Sequence, residues 1–120
     1  TRSLEHRIKL KEMVESEIKA GKRIIGYGAS ARSSTLLNFC GIDHRHLTCI
    51  ADQSPLKHNR YTPGTNILIV SPERAFEAHP DTILLLAWNF KDEIMSRLIE
   101  VGFHGNVIVP LPGNPQLLRI

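Results

Sequence analysis

The stretch Gly26-Tyr27-Gly28-Ala29-Ser30-Ala31 has the spacing G-x-G-x-x-A and lies between a β-rich run and a helical pattern. Residues of these types, so placed, can hold a phosphate. A first glycine permits a tight turn, a second lets backbone approach the anion, and a small third residue lets helix and strand pack closely. Free N–H groups at the helix start then face the anion, with the helix dipole behind them. Ser30, Ser33, Ser34 and Thr35 add hydroxyl donors, and Arg32 adds charge. The competing reading of this loop is a tight turn with a structural role alone.

Three further groups bear on the same chemistry. Asp52 stands where an acid after the second strand would meet a ribose hydroxyl, as in NAD sites; it would equally suit a turn aspartate capping the Ser54-Pro55 bend. Lys57, His58, Asn59 and Arg60 concentrate positive charge in one loop, which suits an anionic small molecule better than a polyanion. Trp88-Asn89 follows the most hydrophobic run; the ring can stack on a base or sugar face, or simply cover the end of a sheet. No G-x-S-x-G elbow, no G-x-x-x-x-G-K-[ST] loop and no Cys-His nucleophile pair stands in the chain, so no catalytic residue is assigned. The six histidines are scattered without a metal-like pattern, and Cys40 and Cys49 lack zinc spacing and read as small buried hydrophobes. A reducing, cytoplasmic setting follows from that cysteine usage.

The elements that must position these residues alternate. Leu4, Ile8, Met13, Val14 and Ile18 mark a first helix ended by Gly21. Ile24 to Tyr27 is a strand, and Ala29 to Phe39 a helix with Ala31, Leu36, Leu37 and Phe39 as candidate core contacts. A strand follows at Leu47 to Ala51, then an irregular loop over 53–66, then a strand at Ile67 to Val70. Ser71-Pro72-Glu73 starts a helix that Pro80 closes. Thr82 to Ala87 is a continuous apolar strand, the mark of burial on both faces. Lys91 to Val101 is a helix, Asn106 to Val109 a last strand, and Pro110-Leu111-Pro112-Gly113 is expected to end regular structure. This alternation predicts an α/β fold: a Rossmann-like, doubly wound, mainly parallel sheet of about five strands with helices on both faces. In that fold the glycine loop, Asp52, the Pro-Gly loop, Trp88-Asn89 and the final proline turn all map to the crevice at the carboxyl ends of the strands.

Size and charge bound the function. With 120 residues, 42% hydrophobic and 22% charged, the chain suits one domain spanning residues 1–120. The net charge of +3 comes without basic clusters interleaved with aromatics, so no nucleic acid is expected. No apolar run approaches the ~20 residues of a membrane span. The chain opens on a helical pattern without an initiator Met, which suggests a piece of a longer protein.

The strings GYGASARSSTLLNFCGI, ADQSPLKHNRYTPGTNI, AWNFKDEI and VPLPG, in this order, resemble the C-terminal domain of SAM-dependent C-methyltransferases acting on nucleotide-linked deoxysugars. The resemblance covers roughly residues 4 to 113. It implies a parent with an N-terminal zinc-binding domain and a middle domain that binds SAM, with the catalytic acid/base residues in that absent part, and this domain packed against the middle one and helping to hold the nucleotide-sugar. By matched motif, Gly26, Tyr27, Gly28, Ala29 and Ser30 would lie near the diphosphate. Asp52, Lys57, Tyr61, Trp88 and Asn89 would line the same cleft. The chain alone would bind no cofactor and methylate nothing. Leu68 departs from the resembled pattern, which has proline there, and puts the path into the third strand in question. An NAD- or CoA-binding module, and a non-catalytic docking domain, stay open as alternatives.

Overall fold

The computed structural model describes residues 2–120. Apolar residues at helical spacing wind Arg2–Lys19 into α1, and Gly21, at φ 79°, turns the chain into β1 (Ile24–Tyr27). There follow α2 (Ala31–Cys40), β2 (Ile50–Ala51), a short helical turn at Pro55–Lys57, β3 (Ile69–Val70) and α3 (Pro72–Glu77). The second half holds β4 (Thr82–Leu85), a helical turn at Trp88–Phe90, α4 (Lys91–Glu100), β5 (Asn106–Val109) and β6 (Gln116–Arg119). The strands form one mixed sheet in the order β3-β2-β1-β4-β5-β6. β1 to β5 pair in parallel, and β6 pairs antiparallel with β5.

Successive strand residues point to opposite faces, and both faces are apolar. Ile24, Ile50, Leu84 and Ile108 pack with Leu10 and Val14 of α1 and Leu37 of α2. Their neighbours Ile25, Ala51, Ile83 and Val107 pack with Ala75 of α3 and Ile94 and Leu98 of α4. The α/β alternation expected from sequence is therefore present, with helices on each side of the sheet. Cys40 and Cys49 are buried, and burial pushes both thiols above their ordinary titration range. Among the described residues, no helix is long and apolar enough to cross a membrane.

Several expectations are corrected. The sheet has six strands, not about five, because Gln-Leu-Leu-Arg beyond the proline turn pairs along the whole of β5. This edge strand is mostly exposed and carries no buried alternation that would announce it. Helix α2 begins at Ala31, with Ser30 as its cap, and Ala31 is exposed. Phe39 is 46% exposed: two helical steps from the fully buried Leu37, it lies on the outer face under the Arg7 guanidinium. Leu4 and Ile8 are likewise exposed, whereas Leu10, absent from the expected stripe, is fully buried. Strands β2, β3 and β4 are shorter than expected. Leu47 is held in a turn by its N–H bond to the Asp43 carbonyl, and the Ile67 N–H donates to Thr62 Oγ1 within the loop.

At the amino end of the sheet, a polar contact fastens α1. Buried Glu17 accepts from Thr82 Oγ1 (2.6 Å) and Asn106 Nδ2 (2.7 Å) through one oxygen. Its other oxygen lies 3.6 Å from Lys22 Nζ. Burial pushes the Glu17 carboxyl up, but the two hydrogen bonds and the Lys22 charge outweigh it, and the group titrates below its ordinary range. Arg119 on β6 extends the network, donating to Asn106 Oδ1 at 3.3 Å.

Candidate functional site

Strand β1 runs out between β2 and β4, and the chain must turn there without a side chain. Gly28 has φ 100°, and a Cβ on it would lie 2.6 Å from Ala87 Cβ, just past the end of β4. Its N–H donates to the Ala51 carbonyl at 2.8 Å, which ties the turn to β2. Gly28 is thus the position that both the turn and the close approach require.

Asp52, directly after β2, locks the next step. Its Oδ2 accepts from the Ala29 N–H (2.8 Å) and its Oδ1 from the Ser54 N–H (2.8 Å). Lys57 Nζ lies 3.6 Å from Oδ2 and donates to the Ala29 carbonyl. His58 Nε2 donates to the Asp52 carbonyl at 2.6 Å. One carboxylate therefore joins the glycine loop, its own turn and the basic loop. The turn-capping role weighed for Asp52 is the one its contacts display.

Ser30 then starts α2 with a reciprocal cap: Ser30 Oγ accepts from the Ser33 N–H (3.1 Å), and Ser33 Oγ accepts from the Ser30 N–H (2.8 Å). That cap leaves the N–H groups of Ala31 and Arg32 without a protein partner among the described residues. They face outward at the positive end of the helix dipole, an arrangement that accepts an anion. Arg32 belongs to this first turn, and its guanidinium stands 4.9 Å from the centre of the Trp88 ring. Among the described residues Arg32 makes no ion pair with a carboxylate.

Beside this turn a groove of about 570 Å³ runs between α2 and the loop before β3, bordered by Ser30, Ser34, Lys57 and Thr62. A second depression of about 800 Å³ lies on the other face, between α3 and α4, and reaches Tyr27 and Gln53.

The sequence-predicted residues divide accordingly. Gly28, Ala29, Ser30, Asp52, Lys57 and Trp88 gather at the carboxyl ends of β1, β2 and β4. Gly26 does not join them: it lies inside β1, and a Cβ there would stand 2.8 Å from Leu86 Cδ1 and 3.1 Å from Ile50 Cγ1. Its small size serves core packing and not the turn. Ala31, the small third residue of the motif, is exposed, whereas Ala29 is buried. Tyr27 is buried among the side chains facing α3 and α4. Tyr61 is 60% exposed, its backbone bridged to Leu68, so the departure at Leu68 leaves the path into β3 intact. Asn89 is exposed and makes no side-chain hydrogen bond among the described residues. The basic loop is largely engaged with the protein, since Lys57 faces Asp52 and Asn59 Oδ1 accepts from Arg74 at 3.4 Å. Arg32, which the sequence offered only as added charge near the glycine loop, is the cation that stands on the Trp88 ring.

Residues 1–112 match the family described as the C-methyltransferase C-terminal domain. The chain is also similar to the C-methyltransferase NovU of Streptomyces niveus, at 39% identity over 109 residues. That match covers 88% of this chain and 26% of NovU, so the chain spans about a quarter of the length of that curated relative.

Proposed function

The chain belongs to the C-methyltransferase C-terminal domain family, and we propose that it is the substrate-holding domain of a SAM-dependent enzyme that methylates a carbon of a nucleotide-linked keto-deoxysugar. The observation that carries this reading is the family match together with an open helix start. Two N–H groups without a partner among the described residues stand at the start of α2, and Arg32 of the same turn carries its guanidinium beside Trp88, where this reading puts the diphosphate of a nucleotide-sugar. Gly28, Ala29 and Ser30 shape that place, and Lys57 and Trp88 flank it. Tyr61 and Asn89, both exposed, are the residues of the set free to meet the sugar or the base. Gly26 and Tyr27 support it from within the sheet.

The strand order supports reading the fold as Rossmann-like and doubly wound, since 3-2-1-4-5-6 is the order of dinucleotide-binding sheets, here with an antiparallel last strand. The chain forms one domain of a longer parent. SAM, held by the middle domain of that parent outside these residues, would supply the methyl group: the carbon next to the sugar's keto group would give its proton to a base in that part of the parent and take the methyl from the SAM sulfur, leaving S-adenosylhomocysteine. This chain's share is to fix the diphosphate. The parent works in the cytoplasm. NAD is the weaker candidate, because both Asp52 oxygens are already committed to backbone N–H groups and not presented to a ribose.

Parallel NMR titrations with dTDP, NAD and CoA test this. Amide shifts at Ala29 to Arg32 and around Trp88 with dTDP, and none with NAD, are the expected result. Saturable NAD binding with silence toward dTDP would replace the proposal with a dinucleotide module.

A further inference from the structure

Tryptophan at the mouth of a nucleotide site invites the reading that it stacks on the base. The geometry points elsewhere. The Arg32 guanidinium already occupies the ring face turned toward α2, at 4.9 Å from its centre, the distance of a cation over an aromatic face. Trp88 is half-buried and Arg32 exposed, so the ring is the fixed partner and the guanidinium the movable one. Lys57, the other cation beside the glycine loop, faces Asp52 at 3.6 Å and is neutralised there. Arg32 has no such carboxylate among the described residues. Its five N–H donors form a planar fork that matches phosphate oxygens, and among the described residues none of them is engaged in a hydrogen bond.

We propose that Trp88 is a positioning residue: its ring holds Arg32 over the first turn of α2, ready to receive the diphosphate of the ligand beside the free N–H groups of Ala31 and Arg32. This rests on the nucleotide-sugar reading given above and adds the division of labour within that site. A long arginine side chain loses much rotamer freedom when it binds. Held against the ring beforehand, it loses less at the moment of binding, and affinity rises. Lysine cannot substitute, because its ammonium is a point charge without the planar fork.

The chain contains a single tryptophan, so its emission reports on this one contact. Inorganic pyrophosphate, which is spectrally silent, is titrated into the chain while Trp88 emission and the amide shifts of Ala31 and Arg32 are followed together. Both signals are expected to saturate at the same concentration. Trp88→Ala, read by amide shifts, should weaken pyrophosphate by about 5-fold, and Trp88→Phe should restore most of that loss. Arg32→Ala and Arg32→Lys should both abolish the emission change, with thermal melts confirming that each variant is folded. If the amide shifts saturate while Trp88 emission stays constant and Trp88→Ala binds like the parent, the positioning role is overturned and the diphosphate site stands. If neither pyrophosphate nor dTDP moves the Ala31 and Arg32 amides, the site itself is overturned, and this role with it.

Discussion

Gly28→Ala is expected to lower the stability of the chain by about 3 kcal/mol, against about 1 kcal/mol for Gly21→Ala. Both glycines hold positive φ, 100° and 79°, so both substitutions carry the conformational cost of a side chain in that region. They differ in what surrounds them. Nothing lies within 4 Å of a Cβ at Gly21, whereas at Gly28 the added methyl would meet Ala87 Cβ at 2.6 Å and Ala87 N at 3.1 Å. The obstacle is the Ala87 Cβ and the backbone that fixes it next to a strand end, which cannot rotate away as a long side chain can. Urea unfolding of the two variants separates the terms: the excess loss at Gly28, roughly 2 kcal/mol, is the cost of prying β1 and β4 apart. Equal losses would mean that the approach to Ala87 carries no energetic weight. Since Trp88 follows Ala87 directly, Gly28→Ala should also disturb the Arg32 contact.

Glu17→Ala should cost about as much, roughly 3 kcal/mol, by a different route. It leaves the Thr82 hydroxyl and the Asn106 amide buried without their acceptor, and an orphaned buried polar group costs about 1–3 kcal/mol. The partly exposed Lys22 ion pair adds little. The same carboxyl makes stability pH-dependent. Its folded titration lies below the unfolded value of about 4.3. Its contribution is therefore complete above that value and is lost as pH falls through the folded value. Glu17→Gln should flatten the acid limb of a plot of urea midpoint against pH. Asp43, held well below the ordinary range by its Arg45 hydrogen bonds, contributes an acid limb of the same sign to both proteins and so cancels in the comparison. An unchanged limb in Glu17→Gln would assign the acid loss to Asp43 instead.

Much of the fold was legible because burial on both faces leaves continuous apolar runs, and Ile24 to Tyr27, Thr82 to Leu85 and Asn106 to Val109 all fall where such runs stand. What escaped has physical causes. Strand β6 is an exposed edge, so pairing with β5 and not hydrophobicity defines it. Phe39 looked like core because periodicity fixes a face only relative to other contacts, and here Arg7 covers it from outside. In the site, glycine spacing located the turn but not the duties of its glycines: Gly26 answers to Leu86 and Ile50, Gly28 to Ala87. The partnership of Arg32 with Trp88 joins the start of α2 to the end of β4, and no local pattern records a contact between such distant stretches. The Glu17 network was invisible for the same reason, since it links α1 to the first residues of β4 and β5.

Strand β6 has a practical corollary for anyone handling this protein. The family match ends at residue 112, ahead of Gln116–Arg119, so a chain trimmed at that boundary would keep every matched motif and lose its outermost strand. The Asn-Val-Ile-Val segment of β5 would then present a bare, apolar hydrogen-bonding edge to solvent, the kind of template on which chains add to one another. The last few residues, exposed and unassuming in composition, act as the selvage that keeps the sheet from fraying into aggregates.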